Sequence, residues 1–91
     1  MKESAIEAYL VSRIRRIGGV CFKFVSPGMV GVPDRIVILP SGELVWVELK
    51  RPNGVVSSIQ KRMHARLRAL MQDVKVVRSI EEIDKLFWIE R

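Results

Sequence analysis

The stretch 44–50, LVWVELK, decides the fold because it combines the strongest strand signal of the chain with two charged side chains. β-Branched and aromatic residues fill it, which is typical of a β-strand. Side chains two positions apart on a strand share a face, so Glu48 and Lys50 project together while Val47 and Leu49 point to the other side. A carboxylate and an ammonium group therefore lie on one face of a strand whose other face is apolar.

The strand before this stretch is predicted to form an antiparallel hairpin with it and follows an acidic residue, Asp34. A five-residue connection, 39–43, places Asp34 directly opposite Glu48, where cross-strand Cβ atoms lie about 4.5 to 5.5 Å apart. A four-residue connection, 40–43, pairs Arg35 with Glu48 and turns Asp34 off that face unless a bulge intervenes. In both cases Asp34 lies within one position of Glu48.

Helices and short strands surround this hairpin. Apolar residues three or four positions apart, followed by a Gly-Gly stop, predict a first helix at 4–17. The other predicted elements are strands at 20–25, 35–39 and 74–77 and helices at 57–71 and 79–88. The order α-β-β-β-α-β-α, with a right-handed crossover into a parallel last strand, predicts an α/β fold with a mixed sheet flanked by helices.

The composition bounds the class of protein. A length of 91 residues fits a single domain, 1–91, and 48% hydrophobic residues with 29% charged ones indicate a packed globule. Sixteen Lys and Arg against ten Asp and Glu give a net charge of +6, which favours a polyanionic partner such as nucleic acid. The single cysteine, Cys21, excludes an internal disulfide and a cysteine zinc cage. Without a signal-like or membrane-spanning stretch, we expect an intracellular protein, cytoplasmic or with the DNA of the host cell.

Two carboxylates as close as Asp34 and Glu48 repel one another unless a cation lies between them. Oxygen ligands suit a hard divalent cation such as Mg²⁺ or Mn²⁺. Such a cation lowers the pKa of bound water and stabilises charge on a phosphoryl oxygen, while Lys50 can orient or activate the attacking water. These residues therefore predict phosphodiester hydrolysis.

The same residues resemble a known signature. Pro33-Asp34 followed by Glu48-Leu49-Lys50 is similar to the Pro-Asp and Glu-x-Lys motif of the PD-(D/E)xK nuclease superfamily. Within that superfamily, the sequences GVPD at 31–34 and VELK at 47–50, with the later Gln60, resemble the VRR-NUC group, the virus-type replication-repair nuclease domain. The resemblance covers nearly the whole chain and implies a restriction-endonuclease-like core.

The resemblance also implies roles for particular residues. The metal is expected to be held by Glu7 on the first helix, Asp34, Glu48 and the backbone carbonyl of Leu49. Lys50 is expected to act on the nucleophilic water and Gln60 to support the site. Glu7 is preferred to Glu3, which is expected to precede the helix. Branched DNA such as a Holliday junction or a flap, of the kind processed in DNA repair, is the implied substrate.

Two of these assignments have a plain structural alternative. Residues 4–7 and 57–60 read as Ser-x-x-Glu/Gln capping boxes, in which Glu7 and Gln60 only return a hydrogen bond to a helix start, and 79–82 repeats the pattern. The single histidine, His64, lies in the middle of a predicted helix and is expected at the surface or boundary.

A run of basic residues without an acid separates Glu48 from Asp73. The residues of this run that are predicted to contact DNA phosphates are Arg51, Lys61, Arg62, Arg66 and Arg68. No element reads as a module for base recognition, so shape and phosphates are expected to determine binding. The sequence thus predicts a metal-dependent, structure-selective DNA endonuclease. The alternative is a non-catalytic DNA-binding or scaffold protein that keeps the fold.

A domain this small is marginally stable alone, which favours self-association. Apolar residues in short or peripheral segments, Met29, Val30, Val32 and Trp88, are candidates for burial between two copies. We therefore expect a homodimer whose two-fold axis sets two sites against a symmetric junction. The alternative is a monomer whose loop and last helix close over its own sheet.

Overall fold

The computed structural model describes residues 1–88, which form helices and strands in the predicted order. The helices are α1 (Glu3–Arg16), α2 (Ser58–Ala69) and α3 (Ile80–Leu86), and the strands are β1 (Val20–Lys23), β2 (Arg35–Ile38), β3 (Leu44–Leu49) and β4 (Asp73–Val77). The predicted α/β fold is confirmed, with element ends that differ by a few residues. Within 1–88, no helix is both long and apolar enough to cross a membrane. Helix α3 stops at Leu86 and is therefore shorter than the predicted last helix, 79–88.

The strands form one mixed sheet in the order β1-β2-β3-β4. Strand β2 is antiparallel to both β1 and β3, and β4 runs parallel to β3, as the helical crossover predicts. Ile38 pairs with Leu44 and Arg35 with Val47, so the connection 39–43 has five residues. At Gly42, a φ of +91° allows the chain to turn back. Extended by one position beyond the pair Arg35–Val47, this register sets Asp34 opposite Glu48. The structure therefore adopts the alternative with the five-residue connection.

Helices α1 and α3 cover one face of the sheet. On α1, Ile6, Leu10 and Ile14 recur at a spacing of four, and all three are fully buried. The cluster that they form with the sheet and α3 also contains Val37, Val45, Val47, Leu49, Val77, Ile83 and Phe87. Each of the largest of these side chains contributes about 1.5 to 3 kcal/mol on burial, so this layer provides most of the apolar stabilisation.

Helix α2 packs on the opposite face, over β4. Its first turn has the predicted capping box: the Ser57 hydroxyl accepts a hydrogen bond from the Gln60 amide, and the Gln60 side chain accepts one from the Ser57 amide. Ser79 caps α3 by accepting from the Glu82 amide, but the Glu82 side chain accepts from the Arg78 amide and not from Ser79, so this cap is not a complete capping box. These contacts fix where each helix begins.

The alternative reading of residues 4–7 as a capping box is excluded by the structure. Helix α1 begins at Glu3, its N-cap is Lys2, and no side chain caps it. Ser4 therefore lies inside the helix. Glu3, expected to precede the helix, instead places a negative charge in the first turn, where it interacts favourably with the helix dipole.

Candidate active site

Asp34 and Glu48 meet where β2 begins and β3 ends. The Asp34 carboxylate accepts a hydrogen bond from the backbone N–H of Leu49 at 3.0 Å, and the Asp34 carbonyl accepts one from the Phe24 amide at 2.8 Å. Pro33, just before it, is fully buried. Asp34 is therefore fixed by backbone contacts to both neighbouring strands.

The Glu48 side chain is only 2% exposed, and its two oxygens have different surroundings. Oε2 accepts a hydrogen bond from the Gln60 amide nitrogen at 3.2 Å and lies 3.8 Å from Lys50 Nζ. Oε1 lies 3.8 Å from His64 Nε2. Across residues 1–88, neither of these last two atoms has a hydrogen-bond partner. A buried acceptor oxygen thus has no hydrogen-bond donor among these residues, which is costly unless something binds it.

The pKa of Glu48 also reflects its burial beside a second carboxylate. Burial, the charge of Asp34 and a hydrogen bond with Asp34 together raise the pKa of Glu48 to about 8, even though the charge of Lys50 lowers it. In the absence of a cation, Glu48 therefore holds a proton over most of the neutral range. A divalent cation would replace that proton and neutralise both carboxylates.

The residues present fit a divalent cation bound mainly by oxygen. Asp34, Glu48 and the carbonyl of Leu49 would hold it, and the unpaired Oε1 of Glu48 is an available ligand atom. Between residues 1 and 88, no three His, Cys, Asp or Glu side chains come close enough to hold a metal on their own. Water would therefore supply much of the coordination shell, as is usual for Mg²⁺.

Gln60 combines two contacts that the sequence left as alternatives. Its carbonyl oxygen completes the capping box of α2, and its amide nitrogen donates to Glu48. The two ends of one amide group therefore link the start of a helix to a carboxylate on β3. The structure places Gln60 beside Glu48, as the proposed supporting role requires.

His64 is a residue that sequence reasoning missed. The expectation of a surface or boundary position is wrong, because His64 is 2% exposed and faces Glu48. Burial lowers the pKa of His64, and the charges of Arg68 and Lys50 lower it further. One signal was available, since His64 lies one helical turn after Gln60 and so shares its face of α2.

The structure does not bring Glu7 to the two carboxylates. Its Oε2 accepts a hydrogen bond from Arg35 Nε at 3.0 Å. Arg35 pairs in register with Val47 and shares its face of the sheet, which is the face covered by α1. The charge of Glu3, by contrast, is among those that raise the pKa of Glu48.

The predicted phosphate-binding residues Arg51, Lys61, Arg62, Arg66 and Arg68 are all exposed. Arg62 and Arg66 line a groove of about 340 Å³ between α2 and the loop 26–33. Arg68 has a structural contact as well, because it donates to the Val74 carbonyl at 2.9 Å. The exposed guanidinium groups carry positive charge along α2, the helix that supplies Gln60 and His64.

Comparison with known proteins agrees with this geometry. No family model matches the chain. It is 51% identical over 79 residues to the "Putative nuclease p44" of Acyrthosiphon pisum secondary endosymbiont phage 1, a match that covers 87% of this chain and 85% of that protein. It is also similar to a solved structure described as a VRR_NUC domain, with a TM-score of 0.86 and 36% sequence identity over 92% of this chain and 91% of that one.

Both similarities extend over nearly the whole length of each partner, so they concern the complete fold rather than a shared motif. The family membership predicted from Pro33-Asp34 and Glu48-Leu49-Lys50 is therefore confirmed. The chain belongs to the VRR-NUC family of nuclease domains.

Proposed function

We propose that the protein is a metal-dependent DNA endonuclease that hydrolyses phosphodiester bonds. The observation that carries the proposal is the opposition of Asp34 and Glu48 across β2 and β3, with one buried Glu48 oxygen unpaired. Similarity to a protein named as a nuclease supports it. In this proposal, Mg²⁺ or Mn²⁺ is bound by Asp34, Glu48 and the carbonyl of Leu49.

Each residue of the site has a distinct part in the proposed mechanism. The Leu49 amide orients Asp34, and Gln60 orients Glu48 by donating to Oε2. The Lys50 ammonium, 3.8 Å from the same oxygen, is placed to orient a water molecule or to stabilise negative charge on the phosphate. A bound divalent cation would lower the pKa of water and offset charge on the phosphoryl oxygens.

An acid from the first helix is also part of the proposal. The sequence favoured Glu7, but the ion pair with Arg35 already neutralises that carboxylate. Glu3 acts electrostatically on Glu48, and its side chain is exposed at the start of α1. Two carboxylates on one helix are therefore candidates for the same role, and the experiment described in the Discussion compares them directly.

We propose double-stranded, branched DNA as the substrate, bound through phosphates by the basic surface of α2. A homodimer is proposed because Met29, Val30 and Trp88 remain 47%, 72% and 66% exposed. Two copies related by a two-fold axis would present two sites to a symmetric junction. The proposed setting is the interior of the host cell, where such DNA is found.

Cleavage assays test this function. Purified protein is incubated with linear, flap and four-way DNA in Mg²⁺, Mn²⁺ or EDTA, and the products are resolved on denaturing gels. We expect products only with metal, and more from branched than from linear DNA. Cleavage that persists in EDTA, or that survives loss of the Asp34 charge, would contradict the proposed site.

The rival function is DNA binding without catalysis. It has one observation in its favour, because no third acidic, histidine or cysteine side chain within 1–88 completes a metal-binding group with Asp34 and Glu48. A binding protein would retain branched DNA equally well in EDTA and after Asp34→Asn, and it would release no products. The same assay therefore separates the two functions.

A further inference from the structure

A groove of about 340 Å³ runs between helix α2 and the loop 26–33. We call it the α2 groove. Its volume lies at the lower end of the range for clefts that bind small molecules, about 300 to 1,000 Å³. The side chains that line it come from the loop, Met29 and Val30, and from the helix, Ile59, Arg62, Met63 and Arg66.

The two walls of the α2 groove are held together by a close backbone contact. Gly31 has a φ of +83°, and a Cβ atom at this position would lie 2.8 Å from the Ile59 carbonyl oxygen. No side chain fits at that distance, so glycine allows the loop to lie directly on the first turn of α2. The contact therefore fixes the loop against the helix that forms the other wall.

The lining of the α2 groove combines apolar side chains with positive charge. Val30 is 72% exposed, Ile59 is 50% exposed and Met29 is 47% exposed, so apolar groups face solvent here. Of the lining residues that the structure describes, none is acidic. Among residues 1–88, neither Arg62 nor Arg66 forms an ion pair. Two guanidinium groups are therefore available to an anion beside an apolar surface.

An unpaired nucleotide matches this combination better than a duplex does. In a duplex the faces of the bases are stacked on one another, and proteins mostly contact phosphates and sugars. An unpaired base instead offers its flat face to side chains, while its phosphate carries the charge that a guanidinium group binds. Apolar side chains contribute nothing to a ligand held only through phosphates. The lining therefore favours a nucleotide whose base is unpaired.

The α2 groove adjoins the candidate active site along the helix. Ile59 and Met63 lie four positions apart and so share one face of α2. Each is followed directly by a residue that faces Glu48, namely Gln60 and His64. A DNA strand with one nucleotide in the groove would therefore pass close to the two carboxylates.

We propose that the α2 groove binds an unpaired nucleotide of the DNA substrate, with the base against the apolar side chains and the phosphate at Arg62 or Arg66. The proposal rests on the proposed nuclease function and specifies which part of a branched duplex is recognised, namely an unpaired arm. Met29 and Val30 are also residues on which the proposed homodimer rests. A second copy of the chain is thus the other occupant that the experiment has to exclude.

A matched pair of DNA probes tests the groove. One probe is a duplex that carries a short unpaired arm of thymidines. The other has the same duplex and the same number of phosphates, but its arm consists of abasic residues. Affinity is measured by fluorescence anisotropy in EDTA, where the proposed cleavage does not occur, and with arms of both polarities. We expect the thymidine arm to bind at least about fivefold more tightly, the low end of what one stacked base contributes.

Uncharged substitutions locate this preference. The double variant Met29→Gln, Val30→Asn and the single variant Met63→Gln each make one wall polar, and each should bring the ratio of the two affinities towards one with an unchanged circular dichroism spectrum. Val55→Asn is the matched control, since Val55 is 77% exposed and does not line the groove. It should keep the ratio. Arg62→Gln should weaken the binding of both probes by a similar factor, because both carry the phosphate.

Three outcomes would overturn the proposal. They are equal affinity of the unaltered protein for the two probes, a ratio that persists in both groove variants, and a lower mass of these variants by light scattering without DNA, which would assign the groove to a second copy. Failure of the nuclease function is a separate result. A protein that prefers the thymidine arm but never cleaves in Mg²⁺ or Mn²⁺ would contradict that function and leave the groove standing. Metal-dependent cleavage with equal affinities would do the reverse.

Discussion

Asp34 is held in place by the strand that carries Glu48, since its carboxylate accepts a hydrogen bond from the backbone N–H of Leu49 at 3.0 Å. The contact is made to the main chain of β3. It therefore fixes the position of the acid independently of the side chains around it, and an uncharged acceptor of the same shape can make the same bond.

The substitution Asp34→Asn uses this property. The amide oxygen of asparagine can still accept from Leu49, so we expect the fold and most DNA affinity to remain. Cleavage should fall roughly a hundredfold or more, because a proposed metal ligand loses its charge. Single-turnover cleavage and a thermal melt measure the two effects. Asp34→Ala is the comparison that also removes the hydrogen bond, and full activity in either variant would exclude Asp34 from the site.

The raised pKa of Glu48 predicts how stability varies with pH in metal-free protein. Between the ordinary pKa of 4.5 and about 8, the folded state holds a proton that the unfolded state has released. Stability must therefore fall as pH rises through this window. Above pH 6.5 His64 contributes little, because its pKa is lowered below 6.5. We expect a decrease of about 1 to 2 kcal/mol from pH 6.5 to 8.

Chemical denaturation in EDTA at pH 6.5 and 8 measures this decrease. Glu48→Gln is the matched control, since it keeps an acceptor at the same place but cannot titrate there. The slope should disappear in that variant. Millimolar Mg²⁺ should weaken the slope in the unaltered protein, because the cation replaces the proton. Equal slopes in the variant and the unaltered protein would assign the effect to other groups.

The two contacts of Gln60 can be separated by a pair of substitutions. Ser57→Ala removes the cap and leaves the donor to Glu48, so it should cost about 1 kcal/mol of stability with cleavage largely kept. Gln60→Glu keeps an acceptor for the Ser57 amide but sets a carboxylate against Glu48. It should retain helix α2 and lower the cleavage rate about tenfold or more. Parallel loss of stability and activity in both variants would mean that Gln60 acts only as a cap.

Glu3 and Glu7 form a natural pair for deciding which acid of α1 serves the site. We expect Glu3→Gln to reduce cleavage and to lower the pKa of Glu48 by removing a repulsive charge. Glu7→Gln should cost less than about 1 kcal/mol through the partly exposed ion pair with Arg35. Cleavage rates and melting temperatures of the two variants give the answer, and a larger rate loss in Glu7→Gln would restore Glu7 as the site residue.

Salt dependence distinguishes phosphate contacts from structural cations on α2. Replacing Arg62 or Arg66 by glutamine should lower the slope of log affinity against log salt by about 1 each, equally for all DNA sequences. Arg68→Gln should in addition reduce stability, since Arg68 bonds to the Val74 carbonyl. Binding is measured by fluorescence anisotropy at several salt concentrations. Unchanged slopes in all three variants would make this surface an ordinary solvated helix face.

Periodicity and turn chemistry were enough to predict the fold, because local preference and burial agree along the chain. The apolar spacing of Ile6, Leu10 and Ile14 predicted α1 and the face that it buries. The hairpin register was less accessible from sequence, since a bulge or a different loop length changes it without altering the pattern of either strand. The structure resolves that choice through the pairing of Ile38 with Leu44.

The site was predictable only where its members lie close in sequence or in paired strands. Glu48 and Lys50 share a face by strand geometry alone. His64 was missed because burial of an ionisable group on α2 depends on which face of that helix meets the sheet, and only the Gln60 contact reveals it. The contact of Glu7 could not be predicted from sequence, because its partner, Arg35, comes from a different element of the fold.

The five-residue connection 39–43 lies at the far end of the strands from the carboxylates, yet its length helps to set the register that places Asp34 opposite Glu48. If loss or gain of a residue there shifted the pairing by one position, Asp34 would move by one position against β3 and its side chain would change to the other face of the sheet. Surface loops ordinarily tolerate such changes in length. In this protein, a change at an exposed turn that shifted the register would separate the proposed metal ligands while leaving each of them in the sequence, so the length of this turn bears on the site as directly as the acids do.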